Sequence, residues 1–193
     1  MKMKSTCAIA LSFGMATAAN AALTVATDVS QTTVNADLSL ITQDNASDGA
    51  IASSLNDVWV TNSGFTSAVI TLELAGGDDV VVDGIAFWNY TPFDSGNGTA
   101  TATIEFFNDG VSQGTATPFA PNQDSTGSNT PTQQNFVIAT QTADTAILTL
   151  STNYGGDRVG FNEIQFDTTA VPEPSSAALI GLGGLSLILR RRK

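Results

Sequence analysis

The chain has 193 residues, with 18 acidic and 7 basic side chains, a single cysteine and no histidine, and its net charge is −11. There is no histidine, and Cys7 lies close to the N-terminus, outside the central segment. The composition therefore excludes Ser-His-Asp and Cys-His catalysis and zinc sites built from His or Cys. Six of the basic residues lie in the first four or last four positions, so Arg158 alone accompanies all the carboxylates of the central segment. Such a surface repels nucleic acid and anionic lipid, and it is compatible with divalent cations and neutral glycans.

Residues 1–21 have the pattern of a signal peptide. Lys2 and Lys4 precede an apolar run from Cys7 to Met15, and Ala19-Asn20-Ala21 fits the small-x-small cleavage motif. We expect a signal peptidase to cut after Ala21. An N-terminal membrane helix is the alternative, and the shortness of the apolar run disfavours it.

Residues 22–168 predict an all-β fold, a single jelly-roll β-sandwich of about eight strands. Thr, Val, Ser and Asn dominate this segment, and no helical apolar spacing extends beyond two turns. Asn108-Asp109-Gly110 predicts a β-hairpin, and the polar stretch from Pro121 to Thr132 predicts a loop. The strands are expected around Leu38–Leu40, Ala68–Leu74, Val80–Tyr90, Thr101–Phe107, Val111–Phe119, Phe136–Ile138, Ala146–Leu150 and Val159–Phe166.

An ordered series of motifs runs through this segment. It consists of Asp48-Gly49, Asp57–Val60, Val82–Asn89, Ile104–Gly110 and Val159–Phe166. The series resembles the galactose-binding-like jelly roll of discoidin-type domains and related carbohydrate-binding modules, over roughly residues 40–167. The resemblance implies a fold more firmly than a ligand.

A structural calcium ion is the cofactor that this resemblance implies. Members of the family often hold one between a loop near the first Asp-Gly and an acidic residue near the last strand, which gives Asn45, Asp48, Asp57 and Glu163 as ligands. Calcium takes six to eight oxygen ligands, which these side chains can supply in part. The inward alternation breaks just before Ile164, which predicts a bulge that turns Glu163. Alternatively, Asp48-Gly49 is a plain surface turn and Glu163 a solvated edge residue.

Sugar binding would use an aromatic platform with polar neighbours at one end of the sandwich. The candidates are Trp88, Tyr90, Phe93, Tyr154 and Arg158. Tyr90 and Phe93 lie beside a polar loop, which favours their exposure. The alternatives are packing against the core or a sheet face for Trp88, and an ion pair with a carboxylate for Arg158.

Glycoside hydrolysis is the catalytic alternative, because carboxylates are the acid–base groups that remain. It needs two carboxyls about 5–9.5 Å apart across a sugar ring. Glu73 and Glu105 are expected on the solvent faces of strands, where a charge costs little. We therefore expect no enzymatic activity.

The C-terminal segment has three parts. A linker over residues 169–176 contains Val171-Pro172-Glu173-Pro174, and residues 177–193 form an apolar run that ends in Arg190-Arg191-Arg192-Lys193. This order resembles the PEP-CTERM protein-sorting tail of Gram-negative bacteria. The resemblance implies export through the inner membrane, transient insertion of the C-terminal helix, cleavage near Pro172–Pro174 by an exosortase-type enzyme, and a surface or matrix destination. A lasting membrane anchor is the alternative, although thirteen apolar residues are short of the roughly 20 that a bilayer needs.

Together these features predict an exported, surface-sorted and non-catalytic β-sandwich that binds or organises extracellular polysaccharide. A structural matrix or adhesion protein without a glycan pocket is the main alternative, and a carboxylate-dependent glycoside hydrolase is the other.

Overall fold

Alternating apolar and polar residues form the strands of a two-sheet sandwich in the computed structural model of the chain. The structure describes residues 22–31, 46–49, 51, 58–92, 94–125 and 131–171, so the strand expected at Leu38–Leu40 lies outside it. The eleven strands in the described part are β1 Ala22–Thr24, β2 Asp28–Gln31, β3 Trp59–Val60, β4 Ala68–Glu73, β5 Val80–Asn89, β6 Thr99–Asn108, β7 Val111–Ser112, β8 Thr117–Phe119, β9 Gln133–Ala143, β10 Thr145–Asn153 and β11 Gly160–Ala170.

The strands form two antiparallel sheets. One has five strands in the order β1-β11-β5-β9, with β3 also paired to β11, and the other has six in the order β2-β4-β10-β6-β7, with β8 also paired to β6. The all-β sandwich predicted from the sequence is confirmed. The number of strands exceeds the expected eight or so because β1, β3, β7 and β8 have only two or three residues each, too few to show an alternation.

The core lies between the inner faces of the two sheets. Strand β4 shows the rule that produces it, since Ile70 and Leu72 are fully buried while the residues that alternate with them are partly exposed. Aromatic rings fill the middle: Phe161 of β11 contacts Phe87 of β5, with ring centroids 5.2 Å apart. Phe106 of the six-stranded sheet meets Phe166 of the five-stranded sheet edge-to-face at 6.3 Å, which joins the sheets.

The hairpin between β6 and β7 is the one predicted from the sequence. Asn108 pairs with Val111, which leaves Asp109 and Gly110 as a two-residue loop. Both have positive φ angles, 49° and 74°, as a type I′ turn requires. An Asp-Gly pair meets this demand with little strain, so the sequence fixes the register of the hairpin here.

The sandwich has two ends, which we name from the strand registers. At the terminal end Val80 pairs with Ala170 and Ala22 pairs with Thr168. Strand β1 begins at this end and strand β11 finishes there. At the loop end, where Phe161 pairs with Asn89, lie residues 61–66, 90–92, 94–98, 120–125 and 154–159.

Strand β11 continues through Ala170, two residues into the segment expected as linker. In the described part of the chain, no helix has both the length and the apolar character to cross a membrane. The signal peptide expected at 1–21 and the sorting helix expected at 177–193 lie outside the described residues.

Candidate functional site

Glu163 is a fully buried carboxyl group in β11. The register of β11 against β5 shifts between Phe161 and Glu163, because Phe161 pairs with Asn89 and Glu163 with Trp88. This irregularity is the bulge that the broken alternation predicted. The alternative interpretation of Glu163 as a solvated edge residue is wrong, since both β5 and a short loop cover it.

Residues 46–49 form the loop that covers Glu163. Backbone N–H groups of this loop bind the Glu163 carboxyl group. The N–H of Asp48 donates to Oε2 at 3.1 Å and the N–H of Gly49 donates to Oε1 at 2.8 Å. The amide Nε2 of Gln165 donates to Oε1 at 3.2 Å. Asp48-Gly49 is therefore not a plain surface turn, although the Asp48 side chain is exposed.

Ser47 anchors the same loop from its other side. Its hydroxyl donates to the carbonyl of Ile164 at 2.6 Å and accepts the backbone N–H of Ala26 at 2.8 Å. Ser47 is itself buried. The loop, the link between β1 and β2, and strand β11 are thus joined through one hydroxyl group.

Burial raises the pKa of the Glu163 carboxyl from an ordinary 4.5 to about 7. Desolvation is the largest cause, and the nearby charge of Asp48 acts in the same direction. The N–H groups of Gly49 and Asp48 and the Gln165 amide oppose the rise by stabilising the anion. The site therefore contains a carboxylate whose negative charge is costly, beside a second carboxylate.

Glu163 and Asp48 are carboxylates, the type of ligand that calcium prefers, and a bound calcium ion would offset the repulsion between them. Two of the four candidate ligands, Asn45 and Asp57, lie outside the described residues. Among the residues that are described, no group of three or more acidic, Cys or His side chains is close enough to hold a metal. Calcium at this position stays a prediction.

The loop end is held together by the side chain of Asn89. Its Nδ2 donates to the carbonyls of Thr99 and Asn122, both at 2.9 Å. Its Oδ1 accepts the N–H of Tyr90 at 2.9 Å and the N–H of Thr99 at 2.8 Å. This buried amide uses its full hydrogen-bonding capacity, and it ties the end of β5 to the start of β6 and to the loop at Asn122.

Two turns pack against each other beside Asn89. The N–H groups of Tyr154 and Gly156 both donate to the carbonyl of Gly96 at 3.0 Å, and the N–H of Arg158 donates to Oδ1 of Asn97 at 3.1 Å. A Cβ at Gly156 would lie 2.1 Å from Oδ1 of Asn97, so this approach requires glycine. The contact fixes the position of Tyr154 and Arg158 relative to β6.

Tyr90 is buried, with 2% of its surface exposed, and its expected exposure is therefore wrong. Burial raises the pKa of its hydroxyl to about 12, while Arg158 lowers it and Asp94 and Asp157 raise it. Trp88 is buried as well. In these positions neither ring offers a face for a sugar to stack on, and Phe93 lies outside the described residues.

Among the described residues of the loop end, the aromatic rings that reach solvent are those of Tyr154 and Phe65, exposed by 37% and 45%. The Tyr154 hydroxyl donates to the carbonyl of Pro121, which limits the movement of its ring. Phe65 follows a turn that is held by the N–H of Gly64 on the carbonyl of Asp157 at 2.8 Å. Phe65 was not among the residues predicted from the sequence, although a phenylalanine directly after Asn-Ser-Gly in a turn was a signal for an exposed ring.

Arg158 connects, through hydrogen bonds, the parts of the loop end that carry these two rings. Its Nη1 donates to the carbonyl of Thr61 at 3.2 Å, in the loop that carries Phe65, and its backbone contacts the turn that packs on Tyr154. The structure thus brings Tyr90, Tyr154 and Arg158 together at the loop end. Glu163 and Asp48 meet instead at the 46–49 loop, where the backbone N–H of Asp48 donates to the Glu163 carboxyl group.

Comparison with known proteins identifies the tail and the fold. The family model for the PEP-CTERM protein-sorting motif matches residues 170–193, where Val171, Pro172, Glu173 and Pro174 were expected to form the sorting motif. Of these, only Val171 is among the described residues. No curated protein sequence matches the chain.

The described sandwich has the fold of carbohydrate-binding modules. A family 32 module of NanJ from Clostridium perfringens, solved with galactose, is 18% identical with a TM-score of 0.53, covering 72% of this chain and 91% of that one. The lectin domain of lectinolysin, solved with Lewis B antigen, is 15% identical with a TM-score of 0.57, covering 74% and 93%. A family 32 module of AlyQ, solved with 4,5-unsaturated mannuronic acid, is 16% identical with a TM-score of 0.51, covering 75% and 97%. At these identities the likeness shows the fold, which is the one that the sequence series resembled.

Proposed function

We propose that this chain is an exported protein whose β-sandwich binds or organises extracellular polysaccharide without catalysing a reaction. The observation that carries the proposal is the fold, which the chain shares with modules solved with bound sugars. The sorting motif at residues 170–193 indicates export with a C-terminal sorting signal, which supports a location where the proposed polymer would be met.

The loop end is the proposed glycan-binding surface. Phe65 and Tyr154 present partly exposed rings there, and Arg158 joins the loops that carry them. Ring faces stack on the C–H groups of a pyranose, and an arginine donates hydrogen bonds to its hydroxyls. Loops held on a rigid sandwich vary in sequence without cost to the core, which suits them to recognition.

The position at which strand β11 ends supports the same surface. Strand β11 begins at the loop end, next to Phe161, and ends at Ala170 at the terminal end, where the sorting motif starts. A precursor held by its tail would therefore direct Phe65 and Tyr154 away from the membrane. Export after signal peptidase cleavage, exosortase processing and transient membrane insertion of the tail are part of this proposal.

Catalysis is disfavoured by the positions of the three glutamates that the structure describes, Glu73, Glu105 and Glu163. Glu163 lies in the five-stranded sheet, while Glu73 and Glu105 flank β10 in the other, opposite Thr145 and Ile147. Two strand spacings and two residues along the strand separate the backbones of Glu73 and Glu105 by about 12 Å. Hydrolysis of a glycosidic bond needs its two carboxyls closer than that.

We also propose one structural calcium ion beside Glu163, with Asp48, Asn45 and Asp57 as further ligands. The support is chemical: a fully buried carboxylate lies near a second carboxylate. Calcium would supply no chemistry there beyond holding the 46–49 loop against β11. The loop contacts Ala26 through Ser47, so the ion would stabilise the terminal strands as well.

The test of glycan binding is titration calorimetry of the purified full-length chain against a panel of polysaccharides, with calcium present. We expect saturable binding to at least one polymer, weakened about tenfold by Tyr154→Ala or Phe65→Ala, since each stacked ring contributes about 1–2 kcal/mol. Val111→Ala is the matched control, because Val111 is an exposed apolar residue at the terminal end.

Absence of binding to every polymer would refute the glycan-binding half of the proposal and favour a structural matrix or adhesion protein. Binding that Val111→Ala weakens as much as Tyr154→Ala would contradict the assignment of the surface.

A further inference from the structure

We infer a second carbohydrate site on the outer face of the five-stranded sheet, a cleft that binds an amine-bearing sugar residue of a polysaccharide. The inference rests on the proposed glycan-binding function and adds to it a position and a substrate class. The cleft has a volume of about 370 Å³, which is within the range of small-molecule sites. Its described lining includes Leu23, Asp83, Gly84, Asn135, Val137 and Asp167.

One row of paired residues builds the cleft. Leu23 of β1, Asp167 of β11, Gly84 of β5 and Val137 of β9 are consecutive partners across four strands. Gly84 has no side chain, so the floor is open between its neighbours. Val137 is 91% exposed and Leu23 is also exposed, and they form apolar walls on the two sides.

The sheet is irregular at this position on both sides of β5. Against β11, Asp167 pairs with Gly84 and Thr168 with Val82, which makes Asp83 an extra residue. Against β9, the register also shifts between Val82 and Gly84. Bulges re-aim side chains and are frequent next to binding sites, and here they direct Asp83 into the cleft beside Asp167.

The charge of the cleft selects its occupant. Asp83 and Asp167 supply two carboxylates, and the described lining contains no lysine or arginine. A sugar that carries an ammonium group would bind these carboxylates through charge-assisted hydrogen bonds. Its hydroxyls match the Asn135 amide, and its C–H face matches Val137. An N-acetylated or uronate residue lacks the cation that the cleft requires.

The experiment compares two oligosaccharides of equal length, a glucosamine oligomer with free amines and its fully N-acetylated form, by calorimetry on the full-length chain. Gly84→Leu fills the cleft without changing the net charge. We expect it to weaken binding of the free-amine oligomer about tenfold or more, and we expect Asp83→Asn with Asp167→Asn to do the same. The acetylated oligomer should bind at least tenfold more weakly to the parent chain.

Two controls separate the cleft from general charge attraction and from misfolding. Asp78→Asn with Asp109→Asn removes two charges at the terminal end, and this pair should leave affinity within about twofold. If Gly84→Leu does not fold, Gly84→Ala replaces it, because the new Cβ would meet Asp167 Cβ at 3.4 Å and the Phe136 carbonyl at 3.5 Å, which are ordinary contacts.

The outcomes separate this inference from the proposed function. Binding that survives Gly84→Leu and is lost in Tyr154→Ala would overturn the cleft and keep the loop end. If Asp83→Asn with Asp167→Asn weakens binding no more than Asp78→Asn with Asp109→Asn does, the attraction is non-specific and the cleft is overturned. Equal affinity for the two oligomers would overturn the requirement for an amine. If the chain binds neither these oligomers nor any other glycan tested, the cleft and the proposed function both fail.

Discussion

Replacing Glu163 with glutamine tests the physics of the buried carboxyl group. A folded-state pKa of about 7, against 4.5 in the unfolded chain, means that the native state holds this proton more tightly. Its contribution is therefore complete below pH 4.5 and is lost as the pH rises through 7. The difference corresponds to about 3 kcal/mol, at 1.36 kcal/mol for each pH unit between the two pKa values.

The assay is urea unfolding of the full-length chain and of Glu163→Gln at several pH values from about 4 to 8, in chelator. Titration of the other carboxylates is common to both proteins and cancels in the difference between their free energies of unfolding. We expect the parent chain to lose about 3 kcal/mol relative to the glutamine variant across this range. The Asp48→Asn variant should show a smaller loss, because the charge of Asp48 contributes to the raised pKa.

Calcium provides the second arm of this experiment. A cation beside Glu163 would stabilise the carboxylate, so the loss at high pH should disappear in the parent chain. Stability should also rise by about 2.7 kcal/mol at a calcium concentration a hundred times the dissociation constant. Glu163→Gln should respond to neither. A free-energy difference that stays constant from pH 4 to 8 in chelator would refute the argument from burial, and identical melts with and without calcium would refute the ion.

Three further predictions concern particular side chains. Ser47→Ala should lower the free energy of unfolding by about 1–3 kcal/mol in urea titrations, because it leaves two buried backbone groups without their partner; an unchanged midpoint would contradict this. Gly156→Ala should weaken glycan binding while the core keeps its near-ultraviolet circular dichroism, because its Cβ would overlap Asn97 and displace the turn that carries Tyr154; undiminished affinity would count against that turn. In a spectrophotometric titration Tyr90 should ionise near pH 12, and stability should fall as the pH rises from about 10 to 12, since the folded chain favours the neutral phenol; a normal titration of both tyrosines would contradict its burial.

Much of the fold could be predicted because its signals are local. The alternation in Ala68–Glu73 requires one face of a strand to be buried, and Asp109-Gly110 meets the demand of a tight hairpin for positive φ angles. The broken alternation before Ile164 correctly predicted a bulge at Glu163. These features depend on a few neighbouring residues, which a single sequence shows directly.

The candidate site was less predictable, because exposure depends on what distant segments cover. Tyr90 was expected in the open, and it is instead buried as part of the core that residues of many strands form. Phe65 is exposed beside a turn that is held on the chain at Asp157, about ninety residues later. The cleft at Gly84 needs the registers of four strands, which no pattern within one strand contains.

Hydrogen–deuterium exchange on the full-length chain, with and without a polysaccharide that it binds, tests the central claim most directly. Glycan binding at the loop end predicts added protection in residues 61–66, 94–98 and 153–158, and none in the β6–β7 hairpin at Asp109-Gly110. Protection confined to the terminal end, or no polysaccharide that changes exchange anywhere, would contradict the claim.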